Sequence, residues 1–245
     1  SFSDGGFNAL SQNFHRFIKK HVLRGYWKDK ERPILLNSWE ACYFNIHEDR
    51  LVDLAEKAAS VGIELVVMDD GWFGKRNDDT TSLGDWTVNP AKLPNGLKGL
   101  VDRVKATGVE FGIWVEPEMV SVESELYRAH PDWAMQIPGK PHTQGRNQRI
   151  LDLSKREVQD YIIDSLSAIF DSADIRYCKW DMNRIFSDYY SQGVAAERQG
   201  ELMHRYQIGL YRCMKVLTEK YPKSLFEGCA SGGNRYDLGI LAYFP

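Results

Sequence analysis

The sequence has no long apolar run, no Cys-x-x-Cys pair and no surplus of basic charge, and each absence removes a class of protein. The longest stretch of its 245 residues without Asp, Glu, Lys or Arg is Gly5 to His15, too short and too polar to span a bilayer. No charged segment followed by an apolar one opens the chain, so no secretion signal is visible. Cys42, Cys178, Cys213 and Cys229 have no metal-ligand spacing with the six histidines. They read as reduced thiols, and the expected location is cytoplasmic. Lys and Arg number 31 against 34 Asp and Glu, a net charge of −3, whereas a nucleic-acid protein shows a basic surplus or stripe. The one basic patch, Arg16, Lys19, Lys20, Arg24 and Lys28, reads as the solvated face of a helix or linker.

The chain is 43% apolar and 12% aromatic, enough to offset chain entropy and exclude disorder. From Arg32 onward, short apolar runs alternate with longer amphipathic stretches. Strands are expected at Ile34–Trp39, Glu64–Met68, Phe111–Val115, Ile175–Trp180 and Leu225–Gly228. Helices are expected at Glu48–Ser60, Leu97–Thr107 (closed by Gly108), Lys155–Phe170 (opened by Ser154) and Glu201–Tyr221 (stopped by Pro222), with a further one starting near Asn234. A β-α repeat without hairpin signals predicts parallel strands covered by helices. A doubly wound nucleotide-binding sheet would want a glycine-rich turn after its first strand, and NSWEACYF is not one. Polar and aromatic residues gather instead at successive strand ends, the habit of a (β/α)8 barrel. Only about five βα units fit before Pro245, so the expectation is the first part of such a barrel within a larger protein.

The chemistry is concentrated at those strand ends. Lys179 and Asp181 lie two apart on one strand and so face the same side. An ammonium beside a carboxylate favours its ionised form, and the pair is expected to keep Asp181 charged. Asn183 continues the period. Asp69 and Asp70 precede Gly71-Trp72-Phe73 and would be costly to bury unpaired; they accept hydrogen bonds, which suits a ligand rich in hydroxyls. Trp39, Trp72, Trp86, Trp114 and Trp180 sit at or just after strand ends, where flat aromatic faces suit a sugar ring. Two readings stay open at this level: glycoside chemistry by paired carboxylates, or a divalent-metal site of Asp69, Asp70, Glu116 and Asp181. The second accounts for neither the tryptophans nor Lys179.

The motifs LLNSWEACYF, VVMDDGWFGKRNDD, LGDW, FGIWVEPEMV, GRNQRILDLS, KWDMNR and EGCASGGNRYDLGIL resemble, in order and over the whole chain, glycoside hydrolase family 36 and specifically its microbial α-galactosidases. The resemblance implies a (β/α)8 catalytic domain over residues 32–245, preceded by a connector, residues 1–31, from an upstream β-sandwich domain. It implies that Asp181 is the catalytic nucleophile. It also implies sugar-binding roles for Trp39, Asp69, Asp70, Trp114, Arg146, Lys179, Asn183 and Cys229, with the paired aspartates selecting galactose through its 4- and 6-hydroxyls. The family's acid/base lies in a W-x-S-D segment expected just beyond Pro245, so this chain alone is expected to be inactive.

The implied substrate is a small oligosaccharide of the melibiose or raffinose type, cleaved with retention and without a cofactor or metal. Neither nucleic acid nor membrane is an expected partner, and a homo-oligomer, commonly a tetramer, is expected for the parent. Rival readings are a galactosyl-transferring relative, an N-acetylgalactosaminidase, and a non-enzymatic incomplete chain.

Overall fold

The computed structural model describes residues 2–233 and 235–245. The helix expected near Asn234 is named for a residue outside that set; after it, the chain makes only a short 3₁₀ turn, Ile240–Ala242. Five strands, β1 (Leu35–Asn37), β2 (Leu65–Met68), β3 (Glu110–Val115), β6 (Tyr177–Trp180) and β7 (Leu225–Gly228), form one sheet in the order β1-β2-β3-β6-β7. Every pairing in it is parallel, and the sheet curls as part of a (β/α)8 barrel. The connections that allow this run through α3 (Glu48–Ser60), α4 (Gly96–Ala106), α6 (Arg156–Ser172) and α7 (Leu202–Lys220). No helix among the described residues is long and apolar enough to cross a membrane.

These helices form where apolar spacing and burial coincide. In α3 the buried Leu51, Ala55 and Ala58 recur at i, i+4 and i+7, one stripe turned to the sheet. Burying each large apolar side chain is worth about 1.5–3 kcal/mol. Gly209 of α7 allows close helix packing, since a Cβ there would lie 2.0 Å from the Leu153 carbonyl oxygen. Gly108 follows α4 with φ 95°, a left-handed conformation that ends a helix at little cost in glycine.

Several expectations of the sequence are corrected. The first strand ends at Asn37, and Trp39 opens a short helix, α2 (Trp39–Cys42). A hairpin-like antiparallel pair does exist: β4 (Met119–Ser121) pairs with β5 (Gln148–Ile150) in the long excursion after β3. It escapes sequence reading because its strands are three residues long and separated by 26 residues containing the short helix α5 (Glu125–Ala129). Ser154 does not cap α6; its hydroxyl and amide bond to Asp152 Oδ1. The basic patch near the N-terminus begins on helix α1 (Gly6–Phe17) and is largely exposed, as expected of a solvated face.

The sheet has two faces with different jobs. Alternate residues along a strand point to opposite sides, so Val66, Met68, Phe111, Ile113, Cys178 and Phe226 join the large core beneath the helices. Leu65, Val67, Tyr177 and Leu225 form a separate cluster on the inner face, joined by Leu35 and Trp27. Gly112 lies in register between Val67 and Tyr177. A Cβ there would come within 2.9 Å of Tyr177 Cβ and 3.0 Å of Val67 Cγ2, so glycine makes room for the Tyr177 ring. Following this inner face two residues at a time toward the strand ends turns it from apolar to polar.

Candidate active site

Two residues beyond the apolar layer, β2, β6 and β7 present Asp69, Lys179 and Glu227. One further step on β6 brings Asp181, with Glu116 after β3 and Cys229 after β7. All belong to the same alternating face, which is why side chains from four strands converge. Tyr177 donates its hydroxyl hydrogen bond to Glu227 at the lower edge of this layer.

Asp181 is 5% exposed and, among the described residues, accepts hydrogen bonds from four N–H donors. Oδ2 takes Trp114 Nε1–H at 3.1 Å and Asn183 Nδ2–H at 2.8 Å. Oδ1 takes the backbone N–H groups of Met182 at 2.8 Å and Ser231 at 3.2 Å. Burial alone would raise its pKa, but the donors from Asn183, Trp114, Ser231 and Met182 outweigh it and hold the carboxyl below the usual range. Asp181 is therefore a buried, ionised carboxylate at neutral pH.

Lys179 does not provide that charge stabilisation by pairing with Asp181, contrary to expectation. Its Nζ lies 3.0 Å from Asp69 Oδ2, in the layer below. Burial pulls the Lys179 pKa down, and the Asp69 carboxylate more than restores it, so the net shift is upward. Sharing a face on one strand thus did not make residues 179 and 181 partners; β2, two strands away in the sheet, supplied the nearer carboxylate.

The two adjacent aspartates part company for the same geometric reason. Asp69 points inward, where Oδ2 also accepts Asn37 Nδ2–H at 2.6 Å and its backbone N–H donates to Ser38 Oγ at 3.0 Å. Asp70 points the other way, into a buried ion pair with Arg76: Nε–H to Oδ1 at 3.0 Å and Nη2–H to Oδ2 at 2.8 Å. Both are nearly sealed from solvent, Arg76 at 1% and Asp70 at 6% exposed. Burial pushes the Asp70 pKa up against the pull of Arg76. Lys92 secures the same loop by donating to the carbonyls of Phe44, Gly71 and Arg76 at 2.9, 2.7 and 2.7 Å.

Of the five tryptophans read as a rim, Trp72, Trp86 and Trp180 are core. Trp72 and Trp180 are fully buried and Trp86 is 6% exposed; Trp72 donates to the Trp114 carbonyl and Trp180 to Glu118. Trp114 is also buried but turns its N–H to Asp181. Trp39 is half-buried on the mouth, edge-on to Tyr43 and Phe44. Arg146 is not brought to the carboxylates: it is exposed at φ 52° and makes no hydrogen bond or ion pair among the described residues. Cys229 does join the site. Burial, then the neighbouring Asp181 carboxylate, push its thiol up to about 11, so it is protonated at neutral pH.

The metal reading finds no support in the geometry. Among the described residues, no three His, Cys, Asp or Glu side chains are grouped to hold one ion. The four carboxylates instead take donors from Arg76, Lys179, Trp114 and Asn183. Glu116, at 1% exposed, accepts Gln148 Nε2–H at 3.0 Å, Asn183 Nδ2–H at 3.2 Å and the backbone N–H of Asn183. Burial and the adjacent Asp181 raise its pKa to about 8.

Sequence reasoning gave no role to Arg76, Lys92, Gln148 or Ser231. The only signal was charge: Lys75-Arg76 follow the paired aspartates after four intervening residues. Beside Asp181, a cavity of about 440 Å³ is lined by Asn183, Ser231, Tyr206 and Arg235 among others.

The melibiase family model matches residues 1–245. The α-galactosidase AgaA of Geobacillus stearothermophilus is 53% identical over 244 residues, which cover 100% of this chain and 34% of that protein. The α-galactosidase Mel36A of Lactobacillus acidophilus is 48% identical over 244 residues, 100% of this chain and 33% of that one. Among solved structures, the family 36 α-galactosidase AgaB of Geobacillus stearothermophilus superposes with a TM-score of 0.97 at 53% identity, covering 99% of this chain and 34% of that chain. An AgaA variant in complex with raffinose superposes at 0.95 with 52% identity, over 97% of this chain and 33% of that chain. The chain thus spans about a third of the length of the relatives it matches. Matched over its full length by the family model, with the motifs and the half-barrel in agreement, the chain belongs to the melibiase family, glycoside hydrolase family 36.

Proposed function

We propose that this chain is the nucleophile-bearing part of a retaining α-galactoside hydrolase. The observation that carries the reading is Asp181: a buried carboxylate at the mouth of the barrel, held ionised by four N–H donors and, among the described residues, without an ion pair to a cation. A nucleophile needs to be deprotonated and fixed, and this arrangement provides both. The relatives named as α-galactosidases, and the AgaA variants complexed with raffinose and stachyose, support a galactoside rather than another glycoside. They also support hydrolysis over galactosyl transfer.

In the proposed reaction, Asp181 attacks the anomeric carbon as the bond to the leaving oxygen breaks. That oxygen takes its proton from the Asp of a W-x-S-D segment outside residues 1–245, the role the family resemblance assigns to it. Water, deprotonated by the same group, then attacks the glycosyl-enzyme ester and releases galactose with its original configuration. Asp69 contacts the sugar hydroxyls with lone pairs that Lys179 and Asn37 leave open, and Asp70, for which the family resemblance implies the same role, joins it only by turning from Arg76 back toward the mouth. Trp39 and Cys229 border the ring, and Arg146 joins them only by moving from its present exposed position. No cofactor or metal enters the scheme. The full-length protein acts in the cytoplasm as a homo-oligomer, with residues 1–31 leading in from a β-sandwich domain.

Asp181→Asn in the full-length enzyme tests this. Turnover of a nitrophenyl α-galactoside is expected to fall by at least about 10³-fold, because nucleophile and acid act as a unit, with the thermal midpoint little changed. Retention of more than about a tenth of kcat would refute the assignment. Appearance of β-galactose as the first product, read by NMR, would refute retention.

A further inference from the structure

We propose that Glu116 is a positioning residue that orients the nucleophile through Asn183. The inference rests on the hydrolase reading above, and extends it to a carboxylate that the reaction scheme does not use. Glu116 sits at the end of β3, sealed from solvent at 1% exposed, and touches Asp181 only through a shared neighbour. That neighbour is the Asn183 amide, whose Nδ2 lies 2.8 Å from Asp181 Oδ2 and 3.2 Å from Glu116 Oε2. The two hydrogens of one NH₂ group thus reach two carboxylates. Glu116 holds the same residue a second time, because Oε1 accepts the Asn183 backbone N–H.

This double grip has a specific consequence. An asparagine side chain alone can rotate or exchange its oxygen and nitrogen ends at small cost. If it turned its oxygen toward Asp181, it would face a carboxylate with an acceptor and repel it. The Glu116 clamp opposes that orientation, because Oε2 also demands a donor, and Ser231 Oγ–H supports it by donating to Asn183 Oδ1 at 3.0 Å. Gln148 Nε2–H at 3.0 Å fixes Oε2 from the β5 side, so the clamp is itself held. Burial and the negative charges of Asp181 and, to a smaller extent, Asp70 favour the protonated form of Glu116. In that form Oε1 still accepts the Asn183 backbone N–H, which keeps residue 183 in place while Oε2 carries the proton.

Glu116→Gln separates this role from simple packing. The substitution preserves volume and can keep the acceptor for the Asn183 backbone N–H, but it sets an NH₂ group against Asn183 Nδ2. In the full-length enzyme, kcat on a nitrophenyl α-galactoside is expected to fall about tenfold or more, the equivalent of one hydrogen bond, while KM changes less than about threefold. The decisive measurement is the cycle with Asn183→Ala. Because Glu116 works through Asn183, adding Glu116→Gln to Asn183→Ala should cost less than about a further twofold. Should Glu116→Gln fail to yield folded protein, the same cycle is run with Glu116→Asp, which keeps both acceptors but withdraws them by one methylene.

Unchanged kcat in the single variant, or multiplicative losses in the double, would overturn the inference. Asp181→Asn belongs in the same series. If that variant stays active, the hydrolase reading itself has failed; if it is inactive and the cycle is multiplicative, only the role of Glu116 has.

Discussion

Replacing Trp114 by phenylalanine removes one of the four donors to Asp181 while keeping an aromatic ring in the core. The indole N–H to Oδ2 contact, at 3.1 Å and buried, is a hydrogen bond to a charged group, worth about 1.5–3 kcal/mol. At about 1.4 kcal/mol per pKa unit, its loss raises the Asp181 pKa by about one to two units. The remaining three donors stay in place, so the shift stops short of neutralising the group at pH 7. A nucleophile must be ionised, so the acidic limb of the kcat/KM profile should move to higher pH by that amount, with the plateau lowered less than the limb region. The assay is kcat/KM for a nitrophenyl α-galactoside from about pH 3.5 to 8, in full-length wild type and variant. The ring also stacks at 6.2 Å on Phe73 and lies 6.4 Å from Trp86, so a drop in thermal midpoint accompanies the shift and is measured separately. A limb that stays within about 0.3 units of wild type would refute the argument that hydrogen bonding keeps Asp181 charged. A limb that moved to lower pH would refute its sign.

Two further outcomes are expected. Arg76→Ala leaves Asp70 buried without its cation, a change that typically costs about 3–5 kcal/mol; chemical denaturation should show a loss of that order, and a loss under about 1 kcal/mol would mean that Asp70 is already neutral. Glu116 holds a proton in the folded state up to about pH 8 that the unfolded chain releases near pH 4.3. Its contribution to stability is therefore complete below that lower value and declines as pH rises toward 8. Glu116→Gln should flatten the fall in thermal midpoint between pH 5 and 8 relative to wild type, and an unaltered slope would show that Glu116 ionises normally.

Much of the fold was legible in the chain because a parallel βα repeat writes itself twice, as short apolar runs and as helical stripes. Helix α3 lies where its apolar spacing puts it, residues 48–60, and the strand at 225–228 likewise. The same alternation put Lys179, Asp181 and Asn183 on one side, and the motif KWDMNR marked Asp181. Local pattern sufficed for these because each depends on residues close in sequence. It failed for β4 and β5, whose pairing rests on tertiary context over a long excursion.

The sequence by itself determined which residue types reach the mouth of the barrel: period two on each strand places Asp69, Lys179, Asp181 and Cys229 on the inner face whatever the neighbours. Only the tertiary structure decided who pairs with whom. Lys179 took Asp69 because β2 and β6, although not adjacent in the sheet, face each other across its curvature, while Asp181 sits one layer higher among neutral donors. Asp70 took Arg76 because the alternation turned it out of the mouth. Trp72 and Trp86 became core because the loop after β2 packs into the large cluster, and Trp180 because the alternation of β6 turns it to the same side as Cys178. Partnership depends on register, curvature and loop path, and none of these is a property of neighbouring residues in the chain.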